Sequence, residues 1–503
     1  MKLHTIATAI TATLLSTSVL AKVYEADVPQ SIITPDSVES IYVGDLEYKD
    51  GVPTQETIQK AEDFADVATA FRVFKSGIPV ASIQGLLTGH ERIGIEPNRT
   101  IGISDNLLNA HSIWLTANTT TPYVTGEIDV KNGPVVLNIG TPLLGLLDDA
   151  AFKFVGNIGV TNPEDQGKGG KYFIYHTSYK GELPEGYIHI ETKGYQHWLL
   201  ARVITTPDNL DKDVQALKDT ITLHPYGEKP NTNFINMTDV KYNTVHAMNH
   251  EFYDEINTLI QYEPTEVFDP EWLSMAQAIG IEKGKEFNPD ERMQRILEEA
   301  AKIATADIRS AYHDPNKTRP RWDDRNYFTP LVDGHEFKNK NGVIHEENRA
   351  IFHFMATGIT PAMKTTTAGR GSDYLVGARD INGDSLDGNK TYKVIIPSMK
   401  IAEKFWSFMI YDNQTRSMLE TEQRKAGVDG LQKGLRVNED GTTTIYFSAE
   451  APKGWENNWV QTREDKGFNI LFRTYSPTQE WLDDDPRARI TDFIPVDPET
   501  EFK

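Results

Sequence analysis

No cysteine occurs in the 503 residues. Disulfides, thiolate metal sites, a cysteine nucleophile and a lipid-modified cysteine anchor are all excluded. Stability has to come from packed cores, and the chain is long enough for two or three of them. Long apolar runs are missing too. Mean hydropathy is −0.46, and a bilayer crossing needs about 20 consecutive apolar residues, so the expectation is a soluble mature protein. Basic residues are scarce beside acidic ones: 51 Lys and Arg against 73 Asp and Glu, a formal charge of −22. A surface of that sign repels nucleic acid and anionic lipid. Common catalytic signatures are absent as well. There is no Gly-x-Ser-x-Gly elbow. Gly167-Lys168-Gly169-Gly170-Lys171 lacks the spacing of a P-loop and reads as a tight β-turn.

What is present divides the chain. Lys2 and His4 precede a mildly apolar stretch, 6–20, that ends Ser18-Val19-Leu20-Ala21. This is the pattern of a secretory signal cleaved after Ala21, so the expected location is periplasmic or secreted. Residues 22–54 read as an N-terminal arm. An amphipathic helix over 55–76 follows, with Ile58, Ala61, Phe64, Ala65, Ala68, Phe71 and Phe74 at helical spacing, Thr54 as cap and Gly77 as stop. The Phe stripe reads as core. Short strands are expected at 113–115, 123–128, 134–139, 172–175, 187–191 and 197–203, with a helix at 208–217. Together 55–235 make a β-rich N-terminal domain. Residues 236–355 form a helical linking segment, with helices at 244–261, 272–279, 289–312 and 348–355. In the third, Asn288 is the expected cap and Pro289 the first residue. Residues 356–503 alternate apolar and polar side chains between Gly, Pro, Asp and Asn, as an antiparallel β-sandwich does, and end in an acidic tail. The fold class is α+β: two β-rich, sandwich-like (jelly-roll-type) domains joined through a helical segment.

Three clusters bear on chemistry. His246 and His250 are spaced to share a metal on a helix, but Ala247 stands where a zinc protease needs Glu, so a surface pair is the simpler account. Asp380-x-Asn382-Gly383-Asp384 has the composition of a calcium loop without the EF-hand order, and a chain of Asx-turns explains it better. No metal or cofactor is therefore expected. The third cluster is in the C-terminal domain. Trp406, Phe408 and Ile410 share one strand face; Phe405, Ser407, Met409 and Tyr411 share the other. Arg473 alternates with Leu471 and Tyr475, and Asn458 and Trp459 lie in a nearby loop. An Arg in such a strand needs a carboxylate, a carbonyl cluster or an anionic ligand.

Residues 118–202 also carry a resemblance. Asn118, Tyr123, Asp129, Gly133-Pro134, Asp165, Gly167 through Tyr172, Pro184, Gly186-Tyr187 and Arg202 resemble the domain-of-unknown-function family 1254. Asp373-Tyr374, Asp380, Leu386-Asp387-Gly388, Phe405-Trp406-Ser407, Tyr411-Asp412, Asn458-Trp459 and Arg473-x-Tyr475 resemble its frequent partner, family 1214. The resemblance implies an exported bacterial protein with two β-sandwich domains and a helical insert, and carries no activity. Many relatives have a longer Asn-Pro-Asn-Arg-like run before the tyrosine; here 117–122 lacks the Arg. The ligand candidates are then Asn118, Tyr123, Arg202, Trp406, Tyr411, Asn458, Trp459 and Arg473. Two readings stay open. One is an enzyme or binding protein for a small polar or sugar-like ligand. The other is a non-catalytic envelope or interaction protein, which could form a homo-oligomer.

Overall fold

The computed structural model describes residues 28–314, 316–364 and 367–502. The expected signal peptide and its cleavage site after Ala21 lie outside the described residues. The chain forms two compact units, 1–65 and 66–503.

In the first unit, part of the expected arm is a small antiparallel sheet of Ser37–Ser40, Gly44–Lys49 and Val52–Pro53. Its turns use Gly44 and Gly51 at φ 75° and 78°, which a side chain would strain. The Thr57 hydroxyl donates to the Glu47 carbonyl and accepts from the Glu47 amide, tying sheet to helix start. Phe64 departs from the core expectation. It is half exposed and stacks on Tyr42.

The helix that begins at Gln55 runs to Arg92, past the expected stop at Gly77 and through Pro79. The glycines along it permit close approach rather than termination. A Cβ on Gly77 would meet Trp272 at 3.0 Å, and one on Gly85 would meet the backbone of Thr244 and His246 at 2.8 Å. Burial then outweighs propensity, because Ile78, Ala81, Ile83 and Leu86 are fully enclosed.

The second unit holds two sheet pairs. A six-stranded sheet runs in the order Asn233–Asn236, Thr100–Ile103, Tyr123–Asp129, Gln196–Val203, Leu143–Asp149, Phe154–Gly159. It faces a four-stranded sheet of Ile188–Thr192, Gly170–His176, Val135–Ile139 and Thr222–Pro225. Alternate residues such as Val124, Leu147, Leu199, Leu137 and Ile174 fill the space between them. The C-terminal pair has five strands (Tyr327–Phe328, Ser372–Gly377, Phe468–Pro477, Ala402–Asp412, Gly427–Asp429) over four (Trp459–Gln461, Thr443–Ser448, Thr391–Ile396, Ile494–Val496). Phe408, Phe447, Phe468 and Phe472 pack between them. Parallel pairs occur in both halves, as between Gly170–His176 and Ile188–Thr192 and between Thr443–Ser448 and Trp459–Gln461. The sheets are thus mixed, where in residues 356–503 alternation alone suggested an antiparallel sandwich. The fold is α+β.

Helices Glu251–Tyr262, Pro270–Ala278, Glu291–His313 and Glu346–Met355 pack with the outer faces of the two larger sheets in one continuous core. The third is capped by Asp290, whose carboxylate accepts from the Met293 amide, not by Asn288. The first starts at Glu251, so His246 precedes it and His250 is its cap. The two imidazoles therefore do not share a helical face.

Candidate functional site: a basic cleft between the two sandwiches

The outer face of the six-stranded sheet carries Tyr123, Leu144, Leu146, Leu200 and Arg202. Pairing sets Arg202 between Tyr123 on one neighbour and Leu144 on the other, and Leu200 opposite Leu146. On the five-stranded sheet, Arg473 stands between Tyr374 and Ser407, with Tyr475 opposite Phe405. The same alternation puts Trp406 on the opposite face, against Phe408 and Phe472. Asn458 and Trp459 sit at the edge of the four-stranded sheet. The Asn458 side chain holds the backbone of Arg436 and Thr444, and the Trp459 indole donates to Ser448. Of the eight sequence candidates, Tyr123, Arg202, Tyr411 and Arg473 thus come together, with Asn118 supporting them. Trp406, Asn458 and Trp459 are elsewhere.

The segment around Trp114–Asn118 laces onto the C-terminal sheet. Thr116 adopts φ 46°, a left-handed conformation uncommon for a β-branched residue, and its carbonyl accepts from Arg473 Nη2 at 2.8 Å. The same nitrogen donates to the Tyr411 hydroxyl at 2.9 Å, which donates to the Ala117 carbonyl. Asn118 is fully buried. Its Oδ1 takes the Thr120 and Thr121 amides, and its Nδ2 donates to the Tyr123 hydroxyl at 2.7 Å. Asn118 therefore shapes the turn and orients Tyr123.

What these groups lack is an acid. Arg473 is 3% exposed, and its Nη1 has no hydrogen-bond partner; neither does the buried Tyr475 hydroxyl. Arg202 has its guanidinium 5.6 Å from the centroid of the Tyr123 ring. Among the described residues no carboxylate makes an ion pair with either arginine. Asp373, next to Tyr374 on the neighbouring strand, points to the other side of that strand. There it pairs with Lys364 and Arg321 and accepts from the Trp481 indole. Desolvation pulls the pKa of Arg473 down, and the phenol oxygens of Tyr411, Tyr475 and Tyr123 more than offset it, leaving it above the ordinary value. Arg202 shows the same balance with Tyr123, Tyr475 and Tyr374. Both guanidiniums stay charged, Arg473 enclosed and Arg202 half-buried at the cleft, a costly arrangement without a counter-ion.

Both line open space. An inner cavity of about 40 Å³, the size of one water, is walled by Trp114, Thr116, Tyr123, Arg202, Tyr374 and Arg473 among others. It adjoins a cleft of about 630 Å³; the two share Leu200, Arg202, Thr357, Met363 and Tyr374. The charged residues lining the cleft are Arg202, Lys364, Arg370 and Lys404; no Asp or Glu is among them. In a chain of net charge −22 such a lining is unlike the rest of the molecule. The strap at 357–364 is fixed to the six-stranded sheet, the Ile359 amide to Asp148 and the Thr360 hydroxyl to Asn157. Lys364, Arg370 and Lys404 lie where no periodicity marks them, and only their basic charge in an acidic sequence could have drawn attention.

Other clusters are closed. Thr125, His90 and Glu127 are linked as a hydroxyl–imidazole–carboxylate chain, but Thr125 and His90 are fully buried and Trp198 donates to the same hydroxyl. The glycine-rich loop after Asp165 turns its Gly167 and Gly169 amides onto the Asp165 carboxylate, which also takes the Tyr172 hydroxyl. That cradle is filled by the chain itself. Asp380 accepts the Asn382 and Asp384 amides as successive Asx-turns.

Residues 98–225 match the family described as Protein of unknown function (DUF1254), and residues 371–479 the one described as Protein of unknown function (DUF1214). The chain thus has a region similar to DUF1254 followed by one similar to DUF1214. Arg202 belongs to the first and Arg473 to the second, so the cleft lies where the two regions meet. No curated protein matches the sequence. Among solved structures, the VPA0106 protein from Vibrio parahaemolyticus is 17% identical with a TM-score of 0.53, covering 86% of this chain and all of its own. An uncharacterised protein from Burkholderia cenocepacia is 13% identical at a TM-score of 0.39, covering 89% of this chain and 91% of its own. The Vibrio likeness is one of fold.

Proposed function

We propose that this is an exported protein that binds a small organic anion in the cleft between its DUF1254 and DUF1214 regions. The observation that carries the reading is the pair Arg202 and Arg473, one half-buried and one enclosed guanidinium without a carboxylate, beside a cleft also lined by Arg370 and Lys404. A carboxylate or similar oxyanion would take the free Nη1 of Arg473 and the Tyr475 hydroxyl and neutralise the buried charge. The aromatic rings around it supply area and fix its plane. Arg370 and Lys404, both exposed at the cleft, draw anions toward it past an otherwise repelling surface.

The first unit favours a second reading, an interaction protein. Ile32, Ile41, Tyr42 and Val52 are each at least 66% exposed there. One experiment addresses both readings: native mass spectrometry of protein recovered from the periplasmic or secreted fraction. The expected result is a monomer starting at Lys22 that carries a small anion, with the anion lost in an Arg202→Gln/Arg473→Gln variant. An intact Met1 terminus would reject export with cleavage. A ligand-free dimer would put the interaction reading ahead.

A further inference from the structure

We infer that the anion is amphiphilic: an organic acid whose carboxylate sits at Arg202 and Arg473 and whose apolar body lies along the outer face of the six-stranded sheet. This rests on the anion reading above and adds the chemistry of the rest of the molecule. The argument comes from what surrounds Arg202. Leu200 is two residues before it on the same face, Ile204 is two residues after it just past the strand end, Leu144 is its neighbour across the strand pair, and Leu146 is opposite Leu200. All four line the cleft, which Pro361, Ala362 and Met363 extend with more carbon. Leu144 is 39% and Ile204 50% exposed, although the alternate residues Leu143 and Val203 are enclosed in the sandwich core. Apolar side chains left in contact with solvent beside a cation are what an amphiphile would cover.

Size points the same way. An inorganic oxyanion or acetate would fill a small part of about 630 Å³, a volume typical of sites for larger organic ligands. A sugar would need hydrogen-bonding partners along its length. Here polar and cationic groups gather on Ser372, Tyr374, Lys404, Tyr475 and Ser476, with Asn157 and Thr161 farther along the six-stranded sheet and Thr357 and Thr360 on the strap, while the residues immediately flanking Arg202 on its strand pair are hydrocarbon.

The test is isothermal titration calorimetry of the purified, dialysed full chain with acetate, butyrate, hexanoate and octanoate, with sulfate and 1-octanol as controls. The expected result is a Kd that tightens with chain length, by up to roughly fourfold per methylene buried, the factor corresponding to ~0.8 kcal/mol. Octanoate binding should be lost in Arg473→Gln and weakened several-fold in Ile204→Ser, a change at a half-exposed position that folding tolerates. 1-Octanol should bind at least tenfold more weakly than octanoate. Acetate and sulfate binding as tightly as octanoate would overturn the apolar body and leave the anion reading standing. 1-Octanol matching octanoate, or no binding by any of the six, would overturn both.

Discussion

Arg416 and Arg473 are both buried arginines of the region that matches DUF1214, and among the described residues neither makes an ion pair with an acid. Arg416 is answered from within the chain. Its Nε and Nη1 donate to the carbonyls of Phe354 and Gln414, and its guanidinium lies 4.4 Å from the centroid of the Phe354 ring. Burial, with the neighbouring charge of Arg309, lowers its pKa to about 9. The Nη2 of Arg416 has no hydrogen-bond partner, and neither has the Nη1 of Arg473. Arg473, however, gives its Nη2 to a carbonyl and a phenol and faces a cavity beside a second guanidinium. A buried arginine with an unused donor is therefore not a site by itself. What separates the two is the open space that Arg473 faces.

The largest expected effect tests the structural member of that pair. Arg416→Ala removes the donors from two carbonyls and leaves a void under Phe354. An unsatisfied buried acceptor costs about 1–3 kcal/mol, so a stability loss of about 3 kcal/mol is expected in urea unfolding, with the ligand affinity of correctly folded protein unchanged. A variant as stable as the parent would show that the carbonyls of Phe354 and Gln414 do not depend on Arg416, and the contrast would fail.

How much of this contrast is legible in the sequence depends on the residue. Arg473 is legible because a cation alternates with Leu471 and Tyr475 on a strand, and period-two alternation assigns the face. The same rule separates Trp406 from it, so only the one-dimensional nearness of aromatic residues grouped them. Arg202 was marked by resemblance alone. Its partnership with Arg473 needs two sheets to meet, which no local pattern encodes. The helix stop at Gly77 misled because glycine can serve close approach as well as termination. Gly85 shows the reason: the Thr244–His246 backbone that occupies its Cβ space comes from far along the chain. The left-handed Thr116, whose carbonyl meets Arg473, has no sequence signal at all.

A smaller effect concerns buried acids that, unlike the cleft cations, do have partners. Glu263 is fully buried and accepts the Tyr195 and Gln196 amides, yet desolvation raises its pKa to about 7. Burial likewise raises Glu255 to about 8. A carboxyl with a raised folded-state pKa holds its proton in the native protein while the unfolded chain has released it. Its stabilisation is complete below about pH 4.5 and is lost as pH rises through the folded value. Above about pH 7.5 the deeply buried His197, His246 and His353, depressed by burial to about 4, 3 and 3, are neutral in the native protein and the unfolded chain alike. The carboxyls then dominate, and stability should fall by on the order of 1 kcal/mol between about pH 7.5 and 9, a size reduced because Glu255 is partly exposed. Urea midpoints at pH 7.5, 8.25 and 9 check the sign. A rise would mean these carboxyls are ionised in the fold, and that chain-supplied amides suffice to hold a buried charge.

The smallest stability effect is expected at Arg473 itself, and it cuts most directly between the two arginines. Breaking a structural buried ion pair costs about 3–5 kcal/mol, because the partner charge is left unpaired. Arg473 leaves no such partner behind. In Arg473→Gln the shorter amide can still donate to the Thr116 carbonyl or the Tyr411 hydroxyl, and the change deletes a desolvated positive charge that no carboxylate among the described residues neutralises. The lost hydrogen bond, about 1 kcal/mol net, is set against relief of that desolvation. Ligand-free Arg473→Gln should therefore lie within about 1 kcal/mol of the parent in urea. Neighbouring phenols should respond more than the fold does. Burial now pushes the Tyr411 hydroxyl up to about 12 against the pull of the guanidinium, and removing the cation should raise it further in a spectrophotometric titration. A loss of 3 kcal/mol or more would show that Arg473 is a staple like Arg416, and the cleft would lose the residue on which its anion depends.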